Sequence, residues 1–107
     1  MADRDYFGQA LRRARKARGM TQEDFATMSS RTYVSMLERG ERSPTLAKIN
    51  ELSAALKIHP LTLLALAYAG PIGPAEMRKL LTEIEREAIT LMHSAPPTKR
   101  PNGGKKK

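Results

Sequence analysis

Cysteine and tryptophan are absent from the 107 residues, and only five residues are Tyr or Phe. Without cysteine there is no disulfide framework and no thiol nucleophile. That absence fits a reducing cytoplasm. So few aromatic rings cannot build a stacking platform for single-stranded nucleic acid. Histidine is nearly missing too: His59 and His93 stand alone and far apart, forming neither a metal cluster nor a catalytic set. No glycine-rich phosphate loop occurs. The longest apolar stretch, Leu61 to Ala69, is interrupted by Thr62 and Tyr68 and is too short to cross a bilayer. The opening residues MADRDYF lack the layout of a signal peptide. An enzyme, a metalloprotein, a cofactor-dependent protein and a membrane or secreted protein are therefore not expected. The expected place is the cytoplasm, on the nucleoid.

Positive charge is what the sequence has in excess: 19 Lys and Arg against 11 Asp and Glu, a net charge of +8. Such a balance favours a polyanionic partner, either nucleic acid or an acidic membrane surface. It is unevenly spread. Residues 1–73 carry eleven cations and seven anions, residues 74–94 three and four, and residues 95–107 five and none. The last segment, with three prolines, two glycines and no large apolar side chain, cannot offset its own ordering entropy. It reads as a disordered basic tail, either a solubilising end or an arm for DNA phosphates.

The remainder reads as helices, because no period-2 run of β-branched residues is present. A first helix spans about Asp5 to Arg18, with Phe7, Leu11 and Ala14 inward and Gly19 as its stop. Thr21 caps a second helix over 21–28, with Asp24 three residues on and Phe25, Ala26 and Met28 inward. Ser29-Ser30 announces a third, about Arg31 to Arg39, with Val34 and Leu37 inward and Gly40 at its end. Ser43-Pro44 reads as the cap and first position of a fourth, burying Leu46, Ile49, Leu52 and Leu56. His59-Pro60 opens a fifth, apolar nearly all round. After the stiff Gly70–Pro74 break, a sixth helix runs from about Ala75 to His93. The expected domains are thus 1–70 for the bundle, 71–94 for the added helix and 95–107 for the tail.

The second and third helices are joined by almost no loop. Gly19-Met20-Thr21-Gln22-Glu23-Asp24-Phe25-Ala26, then Tyr33-Val34-Ser35-Met36-Leu37-Glu38-Arg39-Gly40 and Ser43-Pro44-Thr45-Leu46, resemble the Cro/phage-repressor (XRE) helix-turn-helix family over about residues 8–67. The resemblance implies an all-α, lambda-repressor-like five-helix bundle, here with a C-terminal sixth helix. It also implies binding to double-stranded DNA, with the third helix entering the major groove. Between Thr21 and Ser35 the chain is about two residues shorter than the commoner layout of such motifs. That implies a shortened second helix and leaves the tilt of the recognition helix open.

Roles carry over residue by residue. Gln22 matches a glutamine that bonds a phosphate and braces the recognition helix; otherwise it is a plain helix-start residue. Arg15 and Glu38 match a partly buried structural ion pair. Ser30, Arg31, Thr32, Ser35 and Met36 fall at recognition positions, with Arg31, Thr32, Ser35 and Met36 as base contacts and Ser30 as a phosphate contact. Arg31 is the strongest reader, because a guanidinium can bond guanine O6 and N7 together; the alternative is a phosphate contact. Met36 either meets a thymine methyl or leans on Tyr33. Tyr33 either donates its hydroxyl to the backbone of DNA or packs beside Phe25. Arg39, Arg42 and Ser43 match phosphate contacts, and Arg13 and Lys16, from the cationic run 12–18, join them as candidates.

Leu64 and the sixth helix's Leu80, Leu81, Ile84, Ala88 and Leu91 are the expected dimer interface. The alternative is that this helix folds back on its own domain. The expected function is a homodimeric, sequence-specific regulator of transcription, a repressor acting on a palindromic operator. The same fold also serves restriction–modification controllers and antitoxins, the latter with a toxin or co-regulator as protein partner. A protein-interaction adaptor that has lost DNA binding is the remaining alternative, and Arg31, Arg39 and Arg42 argue against it.

Overall fold

Five α-helices and one 3-10 turn make up the computed structural model, which describes residues 3–25 and 30–96; no strand occurs among them. The order is α1 (Asp3–Ala17), the 3-10 turn (Gln22–Phe25), α2 (Arg31–Glu38), α3 (Leu46–Leu56), α4 (Pro60–Ala69) and α5 (Pro74–His93).

Local chemistry sets most of the boundaries. α1 stops at Gly19, which takes the left-handed region at φ 71°. The Met20 N–H then donates back to the Arg15 carbonyl at 2.9 Å, closing the last turn. Asp24 accepts the Thr21 N–H at 2.6 Å, one half of the expected capping exchange. Ser30 caps α2 by accepting the Tyr33 N–H at 3.0 Å. Gly40, at φ 76°, ends that helix. His59 caps α4 through Nδ1, which accepts the Leu61 N–H at 3.0 Å, and Pro60 occupies the first turn. Ahead of α5, Glu76 accepts the Gly73 N–H at 3.2 Å.

Two expectations need correction. Thr45, and not Ser43, caps α3: its hydroxyl accepts the Lys48 N–H at 3.1 Å. Pro44 therefore precedes the helix by two residues. The buried face of α3 is correspondingly Ile49, Leu52, Ser53 and Leu56, while Leu46, at the first helical position, is 73 % exposed. The second helix is a 3-10 turn ending at Phe25 over its described part; Ala26 and Met28, also expected inward, lie outside the described residues.

The core unites α1, the 3-10 turn and α2–α4. Phe25, Leu11, Leu37, Leu52, Leu56, Leu63 and Val34 are fully buried, each worth roughly 1.5–3 kcal/mol by transfer from water. α1 packs chiefly on α4 and α2, which fixes the recognition helix against the scaffold. Gly8 allows this, because a β-carbon there would come within 2.6 Å of the Leu37 carbonyl oxygen. α5 differs: its main neighbour is α4, Met77 and Leu80 are half-buried, and none of its residues is fully buried. The expected tail begins with exposed Ala95 and Pro96, and residues 97–107 lie outside the described part. Among the described residues no single helix is long and apolar enough to cross a membrane.

Candidate nucleic-acid interface

The recognition helix is anchored at one end and open at the other. At its C-terminal end, Arg15 donates to both carboxylate oxygens of Glu38, at 2.6 and 3.1 Å, and to the Met20 carbonyl at 2.9 Å. These side chains are only 11 % and 5 % exposed. The hydrogen bonds to Glu38 raise the Arg15 pKa above its ordinary value, and burial opposes this more weakly. Gln22 donates to the same Glu38 carboxylate at 3.1 Å. Arg15, Gln22 and Glu38 are thus one cluster joining α1, the 3-10 turn and α2. That bond ties Gln22 to the end of the recognition helix, and the donor it would offer a phosphate oxygen is the second N–H of the same amide.

At the N-terminal end of α2, Ser30, Arg31 and Thr32 are exposed side by side. Ser30 Oγ accepts a backbone N–H as the cap, so its own proton stays available to a phosphate oxygen. The positive end of the helix dipole adds to the attraction for anions there. Arg31 extends toward Glu23 of the 3-10 turn, Nη1 to Oε2 3.5 Å, with both side chains about two-thirds exposed. An ion pair so exposed is weak, and a base edge can replace it. One turn on, Ser35 and Met36 are half-buried. Ser35 Oγ accepts from the Arg39 guanidinium.

Arg39 also forms a two-pronged pair with Glu41, at 2.8 and 3.0 Å. The hydrogen bonds between them raise the Arg39 pKa and hold the Glu41 carboxyl below its ordinary value. Arg42 and Ser43 are exposed just beyond, and Arg42 has no ion-pair partner among the described residues. Tyr33 is half-buried against the core, and Lys48 Nζ lies 5.7 Å from its ring centre.

The cationic run on α1 divides by role. Lys16 is exposed. Arg13 lines a shallow hollow with Tyr6, Leu66, Gly70 and Pro71 on the α4 side, apart from the Arg15–Gln22–Glu38 cluster. Arg18 was missed as a structural residue by sequence reasoning. Its Nε donates to the Leu56 carbonyl at 2.9 Å and its Nη2 to the Lys57 carbonyl at 3.3 Å. It satisfies orphan carbonyls at the end of α3, where Lys57 adopts the left-handed region at φ 61°. No local motif announces that long-range contact. Of the expected dimer residues, Leu64 lines a hollow with Phe7, Ile49 and Tyr68, whereas Leu80, Leu81, Ile84, Ala88 and Leu91 lie along α5.

The chain is similar to known proteins. The sequence profile of the helix-turn-helix family matches residues 11–63. An uncharacterised HTH-type transcriptional regulator of Sinorhizobium fredii is 36 % identical over 72 residues, covering 65 % of this chain and 94 % of that protein. Control protein C.BamHI of Bacillus amyloliquefaciens is 38 % identical over 76 residues, covering 68 % and 90 %. In structure, the chain resembles the restriction–modification controller protein C.AhdI of Aeromonas hydrophila, with a TM-score of 0.55 and 43 % identity, covering 57 % of this chain and 91 % of that one. α5 lies beyond the profile match.

Proposed function

We propose that this chain, which belongs to the XRE-type helix-turn-helix family of DNA-binding transcriptional regulators, binds a palindromic operator as a homodimer and represses transcription from it. The observation that carries the reading is the exposed N-terminal end of α2, with Ser30, Arg31 and Thr32 free to meet DNA while Arg15, Gln22 and Glu38 hold the helix rigid. Arg31, Thr32, Ser35 and Met36 read bases. Gln22, Ser30, Arg39, Arg42, Ser43 and Lys16 contact phosphates, with Tyr33 and Arg13 at the margin. One recognition helix is a weak reader, and a two-fold pair sets two of them about 34 Å apart, one turn of duplex. The activity is binding without catalysis, and the place of action is the cytoplasm.

The likeness to C.BamHI and C.AhdI favours a second reading, control of a restriction–modification operon. A controller activates as well as represses, so a promoter reporter titrated with the protein separates the two. The primary test is selection from a random duplex library at two salt concentrations. An enriched palindrome with half-sites about one turn apart is the expected outcome. Retention that falls with salt without an enriched motif would overturn sequence reading, and no retention at either salt would favour the adaptor.

A further inference from the structure

α5 carries an apolar seam that its own chain covers only at Met77, which is half-buried, and leaves exposed from Leu81 onward. Met77, Leu81, Ile84, Ala88 and Leu91 follow spacings of four, three, four and three, the alternation of a two-helix coiled coil. Leu81 and Ile84 are nearly half exposed and Leu91 is 75 % exposed. The in-chain pair Glu83–Arg86, at 3.8 Å, lies on the opposite side of the helix and leaves the seam clear. A helix of 20 residues with such a face, and no buried residue of its own, is built for a partner.

We propose that the partner is α5 of a second copy, paired antiparallel about a two-fold axis between Thr82 and Glu83. This rests on the homodimer reading above and adds the interface and its direction. Two features choose the direction. First, in the antiparallel register Met77 faces the small Ala88 of the other copy, and Leu81 faces Ile84, so large side chains meet small or complementary ones in every central layer. A parallel pair would stack Ala88 on Ala88 and leave a gap beneath Leu91. Second, Arg78 and Glu85 flank the same edge of the seam, seven residues apart. Antiparallel pairing sets Arg78 of each copy beside Glu85 of the other, giving two identical ion pairs. Parallel pairing sets Glu85 beside Leu80 and Glu87 beside Met92, with no opposite charge to meet. The surface is complementary to itself in one direction only.

The absence of cysteine makes engineered cysteines clean probes. M77C and A88C variants of the full chain are oxidised singly and mixed, with dimer mass followed by light scattering. The antiparallel register predicts cross-linking in the mixture and none in either variant alone, since identical positions are about 16 Å apart along the axis, beyond disulfide reach. R78E should raise the dimer Kd about tenfold, and R78E/E85R should restore it. Self-cross-linking of A88C would make the pair parallel and overturn the proposal. A stable dimer that cross-links in neither arrangement would also overturn it, while leaving the homodimer reading intact. A wild-type monomer, free and on operator DNA, would overturn both.

Discussion

The backbone carbonyl oxygen of Glu38 lies where a β-carbon on Gly8 would approach it to 2.5 Å. α1 and the end of the recognition helix are in contact there without a side chain between them, and both partners are backbone. Gly8→Ala should therefore destabilise the protein by about 1–3 kcal/mol, because neither carbonyl can rotate away and α1 must shift outward. Alanine is the better helix former in isolation by about 1 kcal/mol. A peptide spanning α1 should thus gain helicity from the same change that lowers the melting temperature of the whole chain. A higher melting temperature would show that the helices separate easily.

Arg15 and Glu38 form the most enclosed ion pair among the described residues. Glu38→Leu removes the acceptor for both Arg15 and Gln22, leaving a guanidinium 11 % exposed without its carboxylate. The expected loss is about 3 kcal/mol. Adding Arg15→Met should recover part of it, since the stranded charge is then gone. A double-mutant cycle from chemical denaturation measures the coupling; additive effects would mean the pair contributes nothing beyond its separate parts.

Much of this architecture was legible from one sequence. Gly19, Ser30, Gly40, His59 and Pro60 mark helix ends by local chemistry, and each does so in the structure. The Arg15–Glu38 pair was legible only through resemblance, as its 23-residue separation carries no local signal. Ser43-Pro44 misplaced the start of α3 because Thr45 is an equally good cap two residues on, and tertiary packing of Ile49 and Leu52 selects between them. Gly8 and Arg18 were not legible as structural residues. Each acts on a backbone carbonyl more than 25 residues away in sequence, and spacing along the chain says nothing about which carbonyl will be near.

Arg18 and Lys16 look alike in the sequence, two cations of one basic run, yet the structure separates them. Both are exposed, but Arg18 bonds the carbonyls that end α3. Arg18→Ala should cost about 1–2 kcal/mol of stability and leave the salt dependence of DNA binding unchanged. Lys16→Ala should leave the melting temperature within error and lower the salt slope by about one. Denaturation curves and binding isotherms at several salt concentrations decide both.

Arg31 and Arg42 should divide along another line. Arg31 stands at the start of α2 with only the weak Glu23 pair to give up, and Arg42 is exposed beyond the end of the same helix. Arg31→Ala should relax preference at one base position per half-site, costing about 1–3 kcal/mol against the preferred base. Arg42→Ala should weaken all duplexes alike and lower the salt slope by about one. Competition of the selected operator against single-base variants reads the first effect, and the slope reads the second. The reverse pattern would exchange the two roles.

Arg39 enters the interface already engaged. Its two hydrogen bonds to Glu41 hold that carboxyl below the ordinary carboxylate range. A depressed folded pKa means the pair is complete above the unfolded carboxylate value and is lost only as pH falls through the lower folded one. Between pH 8 and pH 5, then, Glu41 should stay ionised beside Arg39, and acidification should not relieve its competition with the phosphate. Glu41→Gln removes the competing charge at any pH. It should strengthen binding to all duplexes, because the phosphate that Arg39 contacts then no longer meets a carboxylate beside the guanidinium. Binding to a random duplex, compared for wild type and Glu41→Gln at pH 5 and pH 8, gives the answer. Affinity unchanged by the substitution at both pH values would mean that Arg39 keeps away from DNA, held by Ser35.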